Sequence, residues 1–333
     1  MVVNTMSLNA SIVIPTLNRE AILCDTLDSI VSVADGSGLI EIIVVDQSPS
    51  HQSETLCRLE MLSKHPQVKY YQVTFRGTTR ARNLGASLAR GDVVIYVDDD
   101  VFTPPGFVQA HLDQYLNSTI AGVAGCVIHE NERKLGECDL DPSTVSRVRS
   151  GKQVLFNAGF HYDAKWARGC NMSFRREWIL KVGGFDENFY GIAVGEEPEF
   201  CHRLREAGGR IHFAPETELF HRLEASGGSR DQLNLRERFL AYVDNSVYFW
   251  CCTETHAFKR FWQIARLLRS SLTKSNVVFS GRFMDHLRWS MDGLLQGLER
   301  FSARKPNSFV LGAAEVDAKL ASVLREDIYN STD

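Results

Sequence analysis

The chain has 333 residues, 44% hydrophobic and 23% charged, and a net charge of −4. This is ordinary for a soluble globular protein of one large or two modest domains, and the slight negative charge argues against general affinity for nucleic acid. No apolar run approaches the ~20 residues that span a bilayer, and eight cysteines without a C-x-x-C pair argue against a disulfide framework or a zinc site.

That cysteine usage fits a reducing cytoplasm. The first residues lack a basic n-region and a long apolar h-region, so no signal peptide is expected. Ala10 to Ile14 reads as a short apolar strand closed by Pro15. Thr16 or Asn18 can cap the helix that follows, with Ile22, Leu23, Leu27, Ile30 and Val31 as its buried stripe. Gly36 and Gly38 end it. Ile40 to Val45 is a second strand with Asp46 at its carboxyl end, Glu54 to Ser63 a helix, and Val68 to Thr74 a third strand. This strand–helix–strand rhythm predicts an α/β fold with parallel pairing and a Rossmann-like half. Leu84, Leu88 and the alanines around them form an apolar helix face that Gly91 stops. Arg80 and Arg82 near its start could meet phosphate oxygens together with the helix N-terminus, or simply face solvent.

Val93 to Val97 is a short, continuous, β-prone run, and it ends abruptly in Asp98, Asp99 and Asp100. Three acids at the end of a buried strand repel one another and lose hydration, and a hard cation holds such a group ionised. Open parallel sheets bind ligands at that edge. The triplet therefore points to a metal with a phosphate-bearing ligand on its other side; the alternative is a solvated acidic turn. Phe107 to Leu116 reads as a helix and Ile120 to Ile128 as a strand. Residues 129–165 lose clear periodicity and read as an irregular excursion of the kind that shapes a site. Arg168 to Phe174 leads into a helix over Arg176 to Val182, and Gly183-Gly184-Phe185-Asp186 is a sharp turn. Glu196, Glu197 and Glu199 open a helix that runs to Ala207, where acids suit the positive helix end. Ile211 to Ala214 is a short strand, with His221 just beyond it.

From about Arg230 the pattern is helical only. Between Phe258 and Lys305 ten Lys/Arg face three acids, a local excess of seven positive charges. Phe258, Phe261, Trp262, Ala265 and Leu268, and later Met284, Leu287, Met291, Leu294, Leu298 and Phe301, recur at helical spacing. Such basic amphipathic helices lie on anionic membrane surfaces, pack on a catalytic domain, or form dimer interfaces.

Taken in order, Ile-Val-Ile-Pro-Thr-x-Asn-Arg, Val-Val-Asp46, Ala-Arg-Asn-x-Gly, Asp-Asp-Asp, Asn-Met-Ser-Phe-Arg-Arg, Gly-Gly-Phe-Asp-Glu and Gly-Glu-Glu-x-Glu-Phe resemble glycosyltransferase family 2 over roughly residues 10–222. The resemblance implies an inverting enzyme with the GT-A fold, a Rossmann-like, mostly parallel central sheet flanked by helices, here with an all-helical C-terminal extension. The catalytic domain would cover 1–228, with a nucleotide-binding half to 128 and an acceptor-binding half after it, and the extension 229–333. Pro15, Thr16 and Arg19 would touch the nucleotide, Asp46 its base, and Arg82 and Asn83 would lie beside it. Asp98 and Asp100 are the ends of the D-x-D motif. Asp98 would face the ribose, with Asp99 beside it, and Asp100 would ligate the Mg²⁺ or Mn²⁺ that bridges the diphosphate, helped by Asp98 and His221. Glu197 matches the general base, although the pair is Glu-Glu where the family has Glu-Asp, so Glu196 competes for that role. Trp166, Arg168 and Asn171 are candidates for the sugar or acceptor pocket, with core packing an equal account of Trp166.

The helical tail is similar to those of bacterial members that extend surface polysaccharides, including rhamnosyltransferase-like ones, through Arg238-x6-Asn245-x-x-Tyr248-Phe249 and Asp292-Gly293-Leu294-x-x-Gly297. That implies a glycan or lipid-linked acceptor at the inner face of the cytoplasmic membrane. Three rivals fit less well. A dinucleotide-dependent oxidoreductase lacks its G-x-G-x-x-G after the first strand. A sugar-phosphate nucleotidylyltransferase lacks its glycine-rich, lysine-bearing loop after Ile14. A degenerate nucleotide-sugar-binding protein would not need the acids at 98, 100 and 197.

Overall fold

The computed structural model describes residues 8–34, 36–224, 226–228, 233–273 and 283–305. Strand β1 (Ala10–Thr16) is buried along its whole length, which is why it reads as one apolar run. It pairs in parallel with β2 (Leu39–Asp46) on one side and β4 (Val93–Val97) on the other, and β3 (Val68–Gln72) extends the sheet beyond β2. Helices α1 (Ala21–Val31), α2 (Ser53–Ser63) and α3 (Thr78–Leu88) make the crossovers. Gly85 lets α3 lie directly on the Val13 side chain of β1, where a Cβ would overlap it.

Beyond β4 the order is β8 (Asn171–Arg175), β6 (Ile120–Ile128), β9 (Arg210–His221) and β5 (Val101–Phe102), with β7 (Tyr162–Asp163) also on β9. Strand β8 runs antiparallel between β4 and β6, while β6 and β9 are parallel. The sheet is therefore mixed, with six of its nine strands sharing one direction. Helices α4 (Phe107–Gln114), α5 (Pro142–Arg149), α6 (Arg176–Lys181) and α7 (Glu196–Glu206) complete this part.

Several boundaries differ from the sequence expectation, each for a local reason. Pro15 does not close β1, which continues to Thr16. Helix α1 starts after Glu20, so neither Thr16 nor Asn18 caps it; Asn18 instead takes a left-handed turn at φ 53°. Residues 129–165 contain a 3₁₀ turn at Glu137–Asp139, then α5, then β7. Asp141 caps α5 by accepting from the Thr144 N–H at 3.0 Å, with Pro142 in the first turn. Strand β9 continues past Ala214 to His221 through a register shift opposite Gly125 to Val127.

The C-terminal part is helical: α8 (Leu235–Thr253), α9 (Ala257–Leu272) and α10 (Phe283–Ser302). Val243, Val247, Cys251 and Leu267 form a core separate from that of the sheet. Gly293 and Gly297 set α10 against α8 so closely that a Cβ on Gly297 would stand 2.8 Å from the Asp244 carbonyl oxygen. The expected continuation of the helical part beyond 305, and the cations Lys274 and Arg282, lie outside the described residues.

Candidate active site

The carboxyl ends of β1, β2 and β4 meet at one sheet edge, and a cavity of about 1860 Å³ opens there. Asp98, Asp99 and Asp100 follow β4 directly and line it. Each faces different partners. Asp99 is bound by the Arg19 Nε at 3.1 Å, and burial pushes its carboxyl up to about 7 against that pull. Asp100 accepts from the Glu224 N–H at 2.9 Å and from Arg19 Nη2 at 3.3 Å, and its Oδ1 lies 2.9 Å from His221 Nε2. Burial alone would raise Asp100, but these donors outweigh it and hold the carboxyl below its usual range. Burial likewise opposes the His221 charge, and Asp100 overrides it and raises the imidazole. Asp98 keeps 38% of its side chain open to the cavity.

The ligand atoms of Asp98, Asp100 and His221 all lie within 4.8 Å of one another. Two carboxylates and an imidazole are a donor set that suits Mn²⁺ or Mg²⁺. His221 Nδ1 is buried without a hydrogen-bond partner, so the ring still has donor capacity to use. The residues fit a divalent cation.

Opposite this cluster stands the acid pair at the start of α7. Gly195, in a left-handed conformation at φ 97°, turns the chain into the helix. Glu196 is buried and ion-paired with Arg82, itself buried on α3. Arg82 also lies 3.9 Å from Asp98 and 4.0 Å from Glu197, so one guanidinium faces three carboxylates. Burial works against its charge, but Glu196 first, then Glu197 and Asp98, keep it firmly protonated. Glu197 differs from its neighbour: 22% of its side chain is exposed, and its Oε1 accepts from the Gly169 N–H at 3.2 Å. Glu199 turns away to Arg203, which ties down the carbonyls of Val182 and Gly184.

Pro15, Thr16, Arg19 and Trp166 line the cavity, as do Gly77, Thr78 and Thr79 at the N-terminus of α3. Arg80 lines it too, stacked 4.1 Å above the Phe75 ring. Four residues singled out from the sequence sit elsewhere. The Asp46 carboxylate accepts from the Ser48 N–H at 2.7 Å and from the Tyr70 hydroxyl, and lies 2.6 Å from His51 Nε2. Its neighbour Gln47 lines the cavity and accepts from the Gly77 N–H at 2.7 Å. Asn83 holds the sharp turn at Phe185 through two hydrogen bonds to its backbone. Asn171 is buried in β8 and donates to the carbonyls of Cys126 and Thr217. Arg168 lies over the Phe156 ring, 3.1 Å from His129 Nε2.

Sequence reasoning did not place the C-terminal helices at the cavity, which is also lined by Tyr242, Ser246, Phe249 and Trp250 on α8 and by Gln263, Arg266 and Ser270 on α9. The i, i+4, i+7 spacing of 242, 246 and 249 was a visible signal, but nothing in the sequence tells which helical face meets the site.

Comparison with known proteins agrees with this architecture. The chain matches the profile described as glycosyl transferase family 2 over residues 11–181, and that described as the N-terminal domain of galactosyltransferase over 150–228. A "Pre-mycofactocin glycosyltransferase" of Mycobacterium tuberculosis is 28% identical over 220 residues, covering 64% of this chain but 42% of that relative's length. Among solved structures, GalNAc-T7 with UDP, GalNAc and Mn²⁺ aligns with a TM-score of 0.58 at 19% identity, covering 91% of this chain and 59% of the other. The mannosyltransferase PcManGT of Pyrobaculum calidifontis, in complex with GDP-Man and Mn²⁺, aligns with a TM-score of 0.53 at 16% identity, covering 90% and 88%. These likenesses show the GT-A-like fold, and with the family profile matching just over half of its length, the chain belongs to glycosyl transferase family 2.

Proposed function

We propose that this chain transfers a sugar from a nucleoside diphosphate sugar to a hydroxyl group of a glycan or lipid-linked acceptor, with inversion at the anomeric carbon. The observation that carries the reading is the pairing of a cation-type cluster, Asp98, Asp100 and His221, with a solvent-accessible carboxylate, Glu197, in one cavity. Mn²⁺ or Mg²⁺ held by that cluster would neutralise charge on the departing diphosphate. Pro15, Thr16, Arg19 and Gln47 then border the nucleotide, and the N-terminal N–H groups of α3 face its phosphates.

Glu197 is the base in this reading. It is open to the cavity, whereas Glu196 is committed to Arg82. The acceptor hydroxyl gives its proton to Glu197 as its oxygen bonds to the anomeric carbon, and the bond to the diphosphate breaks on the opposite face. Arg82 keeps the nearby carboxylates from repelling one another, and the Gly169 N–H fixes Glu197 Oε1. The division into a catalytic part to 228 and a helical part after it is supported by the separate core of α8 to α10. The solved relatives hold UDP with GalNAc and GDP-Man. Neither favours a rhamnosyl donor, so the reading stops at a nucleoside diphosphate sugar used in glycan or glycoconjugate synthesis.

Thermal melting with UDP, dTDP, GDP, CDP and ADP, each with and without Mn²⁺, tests it. At ~100 times its dissociation constant a ligand specific for the native state adds about 2.7 kcal/mol, a shift of a few degrees. One nucleotide should give that shift only with the metal, and Asp100→Ala should lose it. No shift with any of them overturns the reading.

A further inference from the structure

Helix α9 has two working faces. Leu267 and Ser271 are buried against α8 and α10. Gln263, Arg266, Leu267 and Ser270 line the cavity that contains Asp98 and Glu197. Beside the cavity-lining residues a further stripe returns every turn, at 258, 261, 262 and 265. Phe258, Phe261 and Trp262 on it are 73%, 63% and 58% exposed. Three large aromatics in one exposed row cost solubility unless something covers them. The same helix carries Lys259, Arg260, Arg266 and Arg269 and no acid. Lys259, Arg266 and Arg269 are exposed, flanking the aromatic row or continuing it.

We propose that α9 seats this protein on an anionic lipid bilayer, with Phe258, Phe261 and Trp262 inserted at the interface and Lys259, Arg266 and Arg269 against the headgroups. Aromatic side chains suit the interfacial zone, and a row of cations beside them selects negative lipid. Charge decides against a second copy of this chain as the cover: a symmetric contact would set like-charged α9 helices face to face. No described helix is long and apolar enough to cross a membrane, so the attachment is to one surface. The cavity-lining face of α9 adjoins the exposed row, and Arg266 belongs to both. An acceptor could therefore keep its lipid in the bilayer while its headgroup reaches the cavity. This last consequence rests on the proposed transferase reading; the seating does not.

Flotation of the full chain with vesicles of phosphatidylcholine alone, and of equimolar phosphatidylcholine and phosphatidylglycerol, tests the seating without requiring turnover. The protein should float with the anionic vesicles only and be released by high salt. Phe261→Ser with Trp262→Ser should lower partition by about tenfold or more. Lys259→Gln and Arg269→Gln should each lower it by about fivefold. Circular dichroism and the nucleotide-induced melting shift should be unchanged in these variants, which separates loss of seating from loss of fold or of the donor site. Absence of flotation by the wild-type chain, or equal flotation by the aromatic variants, overturns the proposal. So does a wild-type dimer that the same substitutions dissociate, because the face then belongs to a second copy.

Discussion

Two adjacent carboxylates, Glu196 and Glu197, differ here only in what surrounds them, and that difference is what separates their proposed roles. Glu197→Gln removes a proton acceptor while keeping shape and the Gly169 contact. Turnover should fall by about a thousandfold with the nucleotide melting shift intact; wild-type turnover would remove Glu197 from the base role. Glu196→Gln instead deprives the buried Arg82 of its closest counter-charge, so stability should drop by about 3 kcal/mol in urea unfolding. A third residue tests the same geometry from the backbone side. A Cβ on Gly169 would stand 2.7 Å from Glu197 Oε1 and collide with the Arg82 guanidinium. Gly169→Ala should therefore cost about a hundredfold in turnover by displacing Glu197, the proposed base, again with nucleotide binding retained. The acids themselves were legible in the sequence, because repulsion among Asp98, Asp99 and Asp100 demands an explanation. The burial that distinguishes Glu196 from Glu197 was not, since it depends on an arginine 114 residues away. Asn83 was singled out by the Ala-Arg-Asn resemblance and Asn171 by its place before the acid pair, and neither signal shows that their amides are taken up by the Phe185 backbone and by the Cys126 and Thr217 carbonyls.

At the scale of elements, β1, β2 and β4 could be read because each is a largely apolar run bounded by glycine, proline or acid, whereas the two residues of β5 were too short to read. Strand β8 could not be read either. Asn171 and Ser173 interrupt its apolar pattern, yet both are fully buried in the middle of the sheet. Their partners come from α4: His111 Nδ1 lies 2.8 Å from Ser173 Oγ and Nε2 lies 3.0 Å from Asn171 Oδ1, with the Tyr115 hydroxyl 2.8 Å from Ser173. A helix 60 residues earlier thus makes a polar strand tolerable. This joint also makes stability depend on pH. Burial lowers His111 from 6.5 to about 4, against the Asn171 hydrogen bond that favours charge. Between those values the unfolded chain binds the extra proton, so the contribution is complete above pH ~6.5 and is lost as pH falls towards 4. The full swing is about 3 kcal/mol. His111→Gln should be less stable than wild type at pH 7.5, with the gap narrowing by about 2 to 3 kcal/mol in urea titrations at pH 4.5. A constant gap would show that His111 takes up its proton over the same pH range in the folded and unfolded chain, and that burial does not hold it neutral.

On the scale of the whole molecule, the C-terminal helices were predicted as helices, but their grip on the part built around the sheet was not legible, because it runs through contacts with a loop. Tyr248 on α8 donates to Asp186 at 2.7 Å, Tyr190 donates to Asp244 at 2.5 Å, and Asn245 donates to the Tyr190 carbonyl at 2.9 Å. Arg300 on α10 pairs with Asp244 and donates to the Asn188 carbonyl at 3.1 Å. The loop so held, residues 186–195, leads directly into Glu196 and Glu197, whereas the aspartates follow directly on β4 of the central sheet. Displacing α10 should therefore disturb Glu197, the proposed base, and spare Asp98, Asp100 and His221, the proposed cation site. Gly297 is the place to apply this, since a Cβ there would stand 2.8 Å from both the Asp244 carbonyl oxygen and Val247 Cβ. Gly297→Val should force α10 away from α8, cost about 1 to 3 kcal/mol and lower the melting temperature by several degrees. Turnover measured well below that temperature should fall, while the Mn²⁺-dependent melting shift with nucleotide persists, because Asp98, Asp100 and His221 keep their positions. Loss of the nucleotide shift together with turnover would mean instead that the helical part supports the whole site, and that the loop before α7 is not the route by which it acts.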